Sequence, residues 1–278
     1  MSRLTFGLVA ASRAAATIEE VAPIDALAAW LRGRDGPGPA LDLTTRTAAS
    51  YEELIAGVRD GTFDVAWLPP VAYAWLAEAV TPIGSIVRGG RTSYAAALVV
   101  DASSSVHTLE DLAGARAGWV DPWSAAGFVV PRLELASRKI DPREAFRSET
   151  FYGSHKAALR ALGEGACDVV GTYARTPADG QEAHEGPWTE IPSLHVRVIA
   201  TSGAIPSDVI AVRRNLGPSE HELVLGAFRA AAADEEGKRL LRAVFDGDEL
   251  AEGIDAGHDR LRRRYESGVS KGLFDRDA

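Results

Sequence analysis

Residues that cross-link a chain or bind metal ions are scarce in this sequence of 278 residues. Cys167 is its single cysteine, so no intrachain disulfide can form, and the six histidines are scattered without the spacing of metal ligands. No apolar run approaches the roughly 20 residues that span a bilayer. We therefore expect a chain that does not span a membrane and that has neither a disulfide framework nor a metal site.

The sequence signatures of common enzyme classes are absent as well. There is no Gly-x-Ser-x-Gly nucleophile turn, no Gly-x-x-x-x-Gly-Lys phosphate loop and no Gly-x-Gly-x-x-Gly dinucleotide turn. Cys167 comes directly before a predicted strand, where a small buried residue is a better interpretation than a nucleophile. The sequence thus predicts no catalytic residue and no cofactor, and we expect the protein not to be an enzyme.

Positive charge is outnumbered by negative charge. The chain has 30 Lys and Arg residues against 39 Asp and Glu, which gives a net charge of −9. An acidic protein repels the phosphate backbone, so a nucleic acid is not expected as a partner.

The first residues admit two interpretations. Met1-Ser2-Arg3 followed by the apolar stretch Leu4–Ala11 resembles a short signal peptide, whereas so brief a stretch before a turn is more typical of a first β-strand. We expect the strand. The expected location is the cytoplasm as the sequence stands, and the periplasm or the cell surface if a leader has been removed.

Strand-like and helix-like segments alternate along the chain, which predicts an α/β protein. Strands are expected at residues 4–10, 40–45, 63–68, 94–100, 115–120, 149–152, 168–172, 195–200 and 208–212. Helices are expected around Val21, Ile24, Leu27 and Leu31, from the Ser50-x-x-Glu53 capping box to Arg59, over residues 71–78, 124–137 and 154–162, and from the Ser219-x-x-Glu222 capping box to Tyr265. The β-α-β order of the first series predicts a parallel sheet with helices on its faces.

Two polar segments divide this order into two lobes. The chain is expected to cross between lobes near Asp101–Ser105 and again near Thr201–Pro206. Residues 1–100 with 206–278, including the C-terminal helices, then form the first lobe, and residues 101–205 form the second. Each lobe is predicted to be a sheet flanked by helices, and the two connecting strands are predicted to act as a hinge.

The most informative local feature is Val120–Gly127, where a strand ends and small residues begin a helix. Small residues let a ligand approach the backbone, and the N–H groups of a helix start, together with the helix dipole, favour an anion. The alternative is an ordinary strand-to-helix turn with Ser124 as its N-cap.

Tyr152-Gly153-Ser154-His155 forms a second strand-to-helix turn. The ring of His155 could donate a hydrogen bond to an anion, and an isolated capping histidine is the alternative. Both turns follow strands of one lobe, so we expect them to converge outside the carboxyl ends of the sheet, where open α/β sheets bind ligands.

Aromatic residues near strand ends supply further candidates. Tyr51 occupies the first turn of its capped helix, and both a ligand-facing and a core-facing ring are open interpretations. Tyr73 after Pro70, and Tyr94, also place polar-tipped rings near strand ends. Trp67 is interpreted as a core residue.

Several segments keep a recognisable pattern and order within residues 4–215. They are Ser50–Leu54, Gly61–Pro70 with Tyr73, Leu109–Gly114, Asp121–Pro131, Gly153–Asp168 and Ile205–Asp208. Together they resemble the phosphate-, phosphite- and phosphonate-binding proteins of ABC importers, which have the two-lobed type II periplasmic-binding fold.

The resemblance implies a ligand site. In that family a phosphonate head lies at a helix start of the second lobe, held by hydroxyls and a histidine, and tyrosines of the first lobe close over it. Asp208 is implied within reach of an amino group on the ligand. The full set expected to contact the ligand is Tyr51, Pro70, Tyr73, Tyr94, Trp123, Ser124, Ala125, Ala126, Gly127, His155 and Asp208.

The chain departs from the family pattern in one turn. Ala125 and Ala126 stand where the family has further hydroxyls, and Trp123 replaces a small residue. Each missing charge-assisted hydrogen bond is worth roughly 1.5–3 kcal/mol. The backbone N–H groups remain, and Trp123 could offer an aromatic wall to a larger or less charged ligand, so the identity of the ligand stays open.

The function that the resemblance implies is a solute-binding protein that closes on a small anion of the phosphonate, phosphite or phosphate type and delivers it to an ABC importer permease. Two alternatives share the fold. One is a cytoplasmic sensor or sequestering protein with an altered ligand, and the other is an enzyme of the menaquinone-pathway type.

Closure on a ligand has a direct consequence in solution. If the lobes close around the hinge, the radius of gyration measured by small-angle X-ray scattering should fall when a saturating ligand is added. An unchanged radius of gyration at saturation would contradict closure.

Overall fold

Helices and strands alternate in the computed structural model, which describes residues 3–9, 22–33, 40–175 and 185–274. From the amino terminus they are β1 (Leu4–Val9), α1 (Pro23–Gly33), β2 (Leu43–Ala48), α2 (Tyr51–Asp60), β3 (Val65–Leu68), α3 (Pro70–Leu76), β4 (Val80–Val87) and β5 (Ser93–Asp101). They continue as β6 (Ala115–Trp119), α4 (Val130–Ser137), β7 (Phe146–Phe151), α5 (His155–Gly163), β8 (Val169–Ala174), β9 (Val196–Thr201), β10 (Ile205–Pro206) and β11 (Val209–Arg213). The last elements are α6 (Pro218–Ala233), α7 (Glu235–Phe245), β12 (Glu249–Glu252) and α8 (Ala256–Ser270).

The chain divides into two compact units. The first comprises residues 1–92 and 207–256, and the second comprises residues 93–206 and 257–278. The predicted lobes place β5 and α8 with the first lobe, and here the structure differs. β5 pairs with β8, and Arg264 of α8 donates to the carboxylate of Glu134 in α4, so both elements are held by partners in the second unit.

The sheet of the first unit has the strand order β12-β4-β11-β3-β1-β2. β1 pairs in parallel with β2 and with β3, as the predicted β-α-β order requires. β11 lies between β3 and β4 and pairs antiparallel with both. The sheet is therefore mixed rather than parallel, because the chain re-enters it through a strand that needs no crossover helix.

The apolar face of α1 helps to fill the core on one side of this sheet. Ile24, Leu27 and Leu31 are buried there at the predicted helical spacing, and Val21 lies outside the described residues. Trp67 of β3 packs against the same core, in agreement with its interpretation as a core residue.

One of the two predicted capping boxes is confirmed. The Ser50 hydroxyl accepts from the N–H of Glu53 at 3.3 Å, and the Glu53 carboxylate accepts from the N–H of Ala49 at 2.7 Å. The box at Ser219 is wrong, since α6 begins at Pro218 with no side-chain cap. Proline has a φ suited to a helix, and at the first helical position its missing N–H leaves no donor without a partner, so the helix starts one residue before Ser219.

Two strands of the first unit are not predicted by the sequence pattern. β4 was not predicted, and β12 falls in a stretch expected to be helical. α7 ends at Phe245. Asp246 follows it with a left-handed φ of 60°, and β12 then pairs antiparallel with β4. β12 forms because it pairs with β4, although the composition of this short segment does not predict a strand.

The sheet of the second unit has the order β10-β5-β8-β6-β7, and β9 also pairs with β5. β6 is parallel to β7 and β8, whereas β5 is antiparallel to β8. The carboxyl ends of β6, β7 and β8 and the amino end of β5 consequently meet at one edge of this sheet.

A buried arginine ties the C-terminal segment to the second unit. Arg132 is 2% exposed and pairs with the carboxylate of Glu149, which also accepts from the indole N–H of Trp119 at 2.6 Å. The Arg132 Nε donates to the carbonyl of Leu273 at 2.7 Å, and its guanidinium lies 5.2 Å from the ring centroid of Phe128. The buried guanidinium is therefore paired with a carboxylate and hydrogen-bonded to a carbonyl, as a buried charge requires.

No helix within the described ranges is both long enough and apolar enough to cross a membrane.

Replacing Arg132 with Ala should lower the free energy of unfolding by about 3 kcal/mol, because it leaves Glu149 and the Leu273 carbonyl without their buried cation. Urea denaturation followed by circular dichroism measures the change. Arg239→Ala is the matched control, since Arg239 pairs with Glu236 on an exposed helix surface, and it should change stability little. Equal effects of the two substitutions would contradict the structural role of Arg132.

Candidate functional site

The turn that follows β6 is closed by its own hydrogen bonds. The Asp121 carboxylate accepts from the N–H of Trp123 at 2.8 Å, and the Ser124 hydroxyl accepts from the N–H of Gly127 at 3.0 Å. Ser124 is thus the N-cap, as the alternative interpretation predicts. Its hydroxyl hydrogen is not used in that bond and can still be donated to a ligand.

The helix after this turn does not start as a regular α-helix. Residues Ala125–Val129 form a π-helical turn in which the N–H of Val130 donates to the carbonyl of Ala125, and α4 begins only at Val130. Pro131 has no N–H for the carbonyl of Gly127, which instead accepts from the N–H of Val120 at 3.3 Å. The predicted helix over residues 124–137 is therefore present with an altered first turn, which is typical of functional sites.

Gly127 is required by close packing. A Cβ atom at this position would collide with the side chains of Val120 and Ser124. The turn therefore folds back tightly on the end of β6.

Two backbone donors of this turn have no partner within the described part of the chain. The N–H groups of Ala125 and Ala126 are the first two of the helical segment, and the hydrogen bonds within the turn leave them unused. Both residues are buried, at 3% and 2% exposure. A buried N–H without an acceptor is costly, so this pair calls for a ligand atom or a water.

The second predicted turn lies beside the first. The N–H of Gly153 donates to the carbonyl of Val120 at 2.8 Å, which extends the pairing of β6 and β7 into the two turns. Gly153 has a φ of +77°, a conformation that favours glycine, and Ser154 caps α5 by accepting from the N–H of Ala157 at 3.1 Å. The structure thus brings the two turns together at one edge of the second sheet, as expected.

His155 stands at the first position of α5 and is half-buried. Its Nδ1 lies 2.9 Å from the hydroxyl oxygen of Thr172 in β8, and its ring packs edge-on against Tyr173 with centroids 4.9 Å apart. Burial lowers the pKa of the imidazole to about 4, because a low-dielectric surrounding disfavours the charged ring. His155 is therefore neutral near pH 7.

Tyr94 shares this edge of the sheet. It lies at the amino end of β5, where it pairs with Ile205, and the neighbouring Ala95 pairs with Ala174 at the carboxyl end of β8. The predicted residues of the second unit, from Tyr94 through Trp123–Gly127 to His155, are thus carried by adjacent strand ends.

The predicted residues of the first unit lie at the corresponding edge of its own sheet. Tyr51 begins α2 after β2, and Pro70 begins α3 after β3. Pro70 and Tyr73 are both buried. Asp208 lies directly before β11, and its carboxylate accepts from Arg88 at 2.6 Å, so its charge already has a partner within this unit.

Two other expectations concern chemistry. Cys167 is 3% exposed, and burial raises the pKa of its thiol to about 11, which fits the predicted small buried residue rather than a nucleophile. No group of His, Cys, Asp and Glu side chains that could hold a metal ion occurs among the described residues.

Thr172 and Tyr173 contact His155, and the sequence pattern does not identify them as residues of the site. They are 17 and 18 residues away along the chain and both belong to β8, for which the sequence predicts only a strand over residues 168–172. A hydroxyl near the end of a buried strand is the one available signal, and it does not identify its partner.

The family model described as "ABC transporter, phosphonate, periplasmic substrate-binding protein" matches residues 19–256. The chain belongs to this family. Members of this phosphonate-binding family are substrate-binding proteins of transporters, which agrees with the expectation that the protein binds a solute, and the family description places them in the periplasm.

A curated relative is the phosphate-import protein PhnD of Mycolicibacterium smegmatis, which is 26% identical over 235 residues and covers 77% of this chain and 72% of its own length. Two solved structures of similar fold have names that refer to phosphonate binding or transport. One is a binding protein component of an ABC phosphonate transporter from Pseudomonas aeruginosa (TM-score 0.74, 19% identity, 99% of this chain and 89% of that one). The other, from Prochlorococcus marinus, is in complex with methylphosphonate (TM-score 0.71, 12% identity, 97% of this chain and 98% of that one).

These similarities confirm the predicted fold class. This member of the phosphonate-binding family has the type II periplasmic-binding fold, with two sheets flanked by helices. Identities this low between the chain and solved structures establish the fold and leave the individual ligand contacts as predictions.

The depressed pKa of His155 predicts how stability depends on pH. In the unfolded chain the pKa of the ring is about 6.5. Between about pH 6.5 and about pH 4 the unfolded state therefore binds a proton that the native state does not bind. The free energy of unfolding should therefore fall as the pH falls through this window. In His155→Gln the fall should be smaller by on the order of 2 kcal/mol.

Chemical denaturation of both proteins at pH 7, 5.5 and 4.5 measures this difference. Other titrating groups are shared by the two proteins and cancel in the comparison. Parallel curves for the wild type and His155→Gln would show that His155 is not held neutral by its surroundings.

Proposed function

We propose that this protein binds a small phosphorus oxyanion of the phosphate, phosphite or phosphonate class for an ABC importer. The observation that carries this proposal is the pair of N–H groups of the buried residues Ala125 and Ala126 at the start of a helical segment. Among the described residues these groups have no acceptor, and they lie next to the turn that holds His155. An oxyanion supplies several acceptor oxygens at once.

The donors in this part of the second unit suit an anion without a strong cation. Backbone N–H groups, the Ser124 hydroxyl and the ring of His155 are all neutral donors, and the helix start contributes a partial positive charge. Such a set stabilises the oxygens of an anion through directed hydrogen bonds as well as through the partial charge of the helix start. It supports recognition of a small tetrahedral anion despite the missing hydroxyls at Ala125 and Ala126.

The aromatic and first-unit residues complete the proposal. Trp123 is proposed to offer an aromatic wall to the part of the ligand that carries no charge, and Tyr94 remains a predicted ligand contact. Tyr51, Pro70, Tyr73 and Asp208 remain predicted contacts, with one change for Asp208. Arg88 already neutralises its carboxylate, so a strong bond to a ligand amino group is no longer expected there.

We propose that the partner is the permease of an ABC importer and that the protein works in the periplasm or at the cell surface, as its family does. Neighbouring permease genes would support this partner, and a gene that stands apart from any transporter would argue against it.

A ligand panel tests the proposed class. Phosphate, phosphite, methylphosphonate and 2-aminoethylphosphonate are compared by thermal shift and titration calorimetry, and at least one should raise the melting temperature increasingly with concentration. For that ligand, His155→Ala should raise the Kd by at least about tenfold, since a hydrogen bond to a charged group is worth roughly 1.5–3 kcal/mol.

His107→Ala is the matched control, because His107 is an exposed histidine of the same unit and lies on a loop before β6. It should leave the Kd unchanged. Stabilisation by none of the four anions would refute the ligand class, and an unchanged Kd in His155→Ala would refute this placement of the site.

A further inference from the structure

Among the residues that the structure describes, the Thr172 hydroxyl has a single hydrogen-bond partner. The residue is fully buried in β8, and within the described residues its Oγ1 contacts only the Nδ1 of His155, at 2.9 Å. The Nε2 atom of the same ring has no hydrogen-bond partner in that part of the chain. The two ring nitrogens therefore stand in different surroundings.

This arrangement decides which nitrogen carries the proton of the neutral ring. A hydroxyl has one hydrogen to donate, and a buried donor without an acceptor is costly. If Nδ1 carried the proton and donated it to Thr172, the hydroxyl hydrogen would have no acceptor. If the hydroxyl donates to an unprotonated Nδ1, both groups are satisfied and the ring proton lies on Nε2.

We propose that Thr172 is a positioning residue that holds His155 as the neutral tautomer protonated at Nε2, so that the ring can only donate to a ligand oxygen. The edge-on contact with Tyr173 fixes the ring plane in support of this. The low pKa of His155 agrees with a ring that does not take a second proton. The consequence for binding rests on the proposed function, but the tautomer itself does not.

The tautomer sets a specificity for the ligand atom. Nε2 with a proton has no lone pair, so it cannot accept from a protonated phosphorus hydroxyl. His155 then selects an unprotonated oxygen of the anion. Without Thr172 the ring could take the opposite tautomer and lose this selection.

The experiment is nuclear magnetic resonance of ligand-free protein with isotope-labelled histidine, in which the ring shifts distinguish the two neutral tautomers. His155 is assigned by the signals that His155→Gln lacks. The wild type at pH 7 should show Nε2–H alone. Thr172→Val, which keeps the shape of the side chain and removes the hydroxyl, should show a mixture, and Thr172→Ser should restore Nε2–H.

A wild-type ring protonated at Nδ1 would overturn the proposal, and so would an unchanged tautomer in Thr172→Val. The wild-type spectrum decides the first point even if Thr172→Val does not fold.

A binding arm uses the anion that stabilises the wild type most. Thr172→Val should raise its Kd by about tenfold, a size typical of partners that orient a histidine, whereas Thr172→Ser should stay within about twofold. If no anion binds the wild type, the proposed function fails while the tautomer result stands. If an anion binds and Thr172→Val leaves its Kd unchanged, the positioning role fails while the proposed function stands.

Discussion

The missing N–H group of Pro131 shapes the region on which the proposed binding site depends. The carbonyl of Gly127 cannot accept from Pro131, and it accepts instead from the N–H of Val120, so the intervening turn folds back on the end of β6. The first helical turn then adopts the wider π geometry. Within the described residues, the N–H groups of Ala125 and Ala126 have no acceptor, because they are the first two N–H groups of the helical segment.

The aromatic cluster behind this turn holds it in place. Phe128 packs edge-on against Trp119 and Phe151, and Arg132 covers its ring while holding the carbonyl of Leu273. The C-terminal segment therefore supports the same helical stretch whose first N–H groups are proposed to bind an anion. Rigid backing of this kind lowers the cost of ordering the turn when a ligand binds.

The sequence predicts what depends on local chemistry and misses what depends on distant partners. The Ser50 capping box and the apolar spacing of α1 are local, and both are confirmed. The insertion of β11 between β3 and β4 is set by pairing across the chain, so the expected parallel sheet is wrong in that half. At the site, order along the chain is enough to bring the two turns together at the carboxyl ends of β6 and β7. It cannot show that Thr172 contacts His155 or that Arg88 neutralises Asp208, because these partners are far apart in sequence.

The central claim is that an oxyanion satisfies the orphan donors of the second unit. A crystal structure of the complex with methylphosphonate tests it most directly. The account predicts phosphonate oxygens within about 2.7–3.2 Å of the backbone nitrogens of Ala125 and Ala126 and of the Nε2 atom of His155. A phosphonate bound elsewhere, with those three nitrogens still lacking acceptors or bonded only to water, would contradict it.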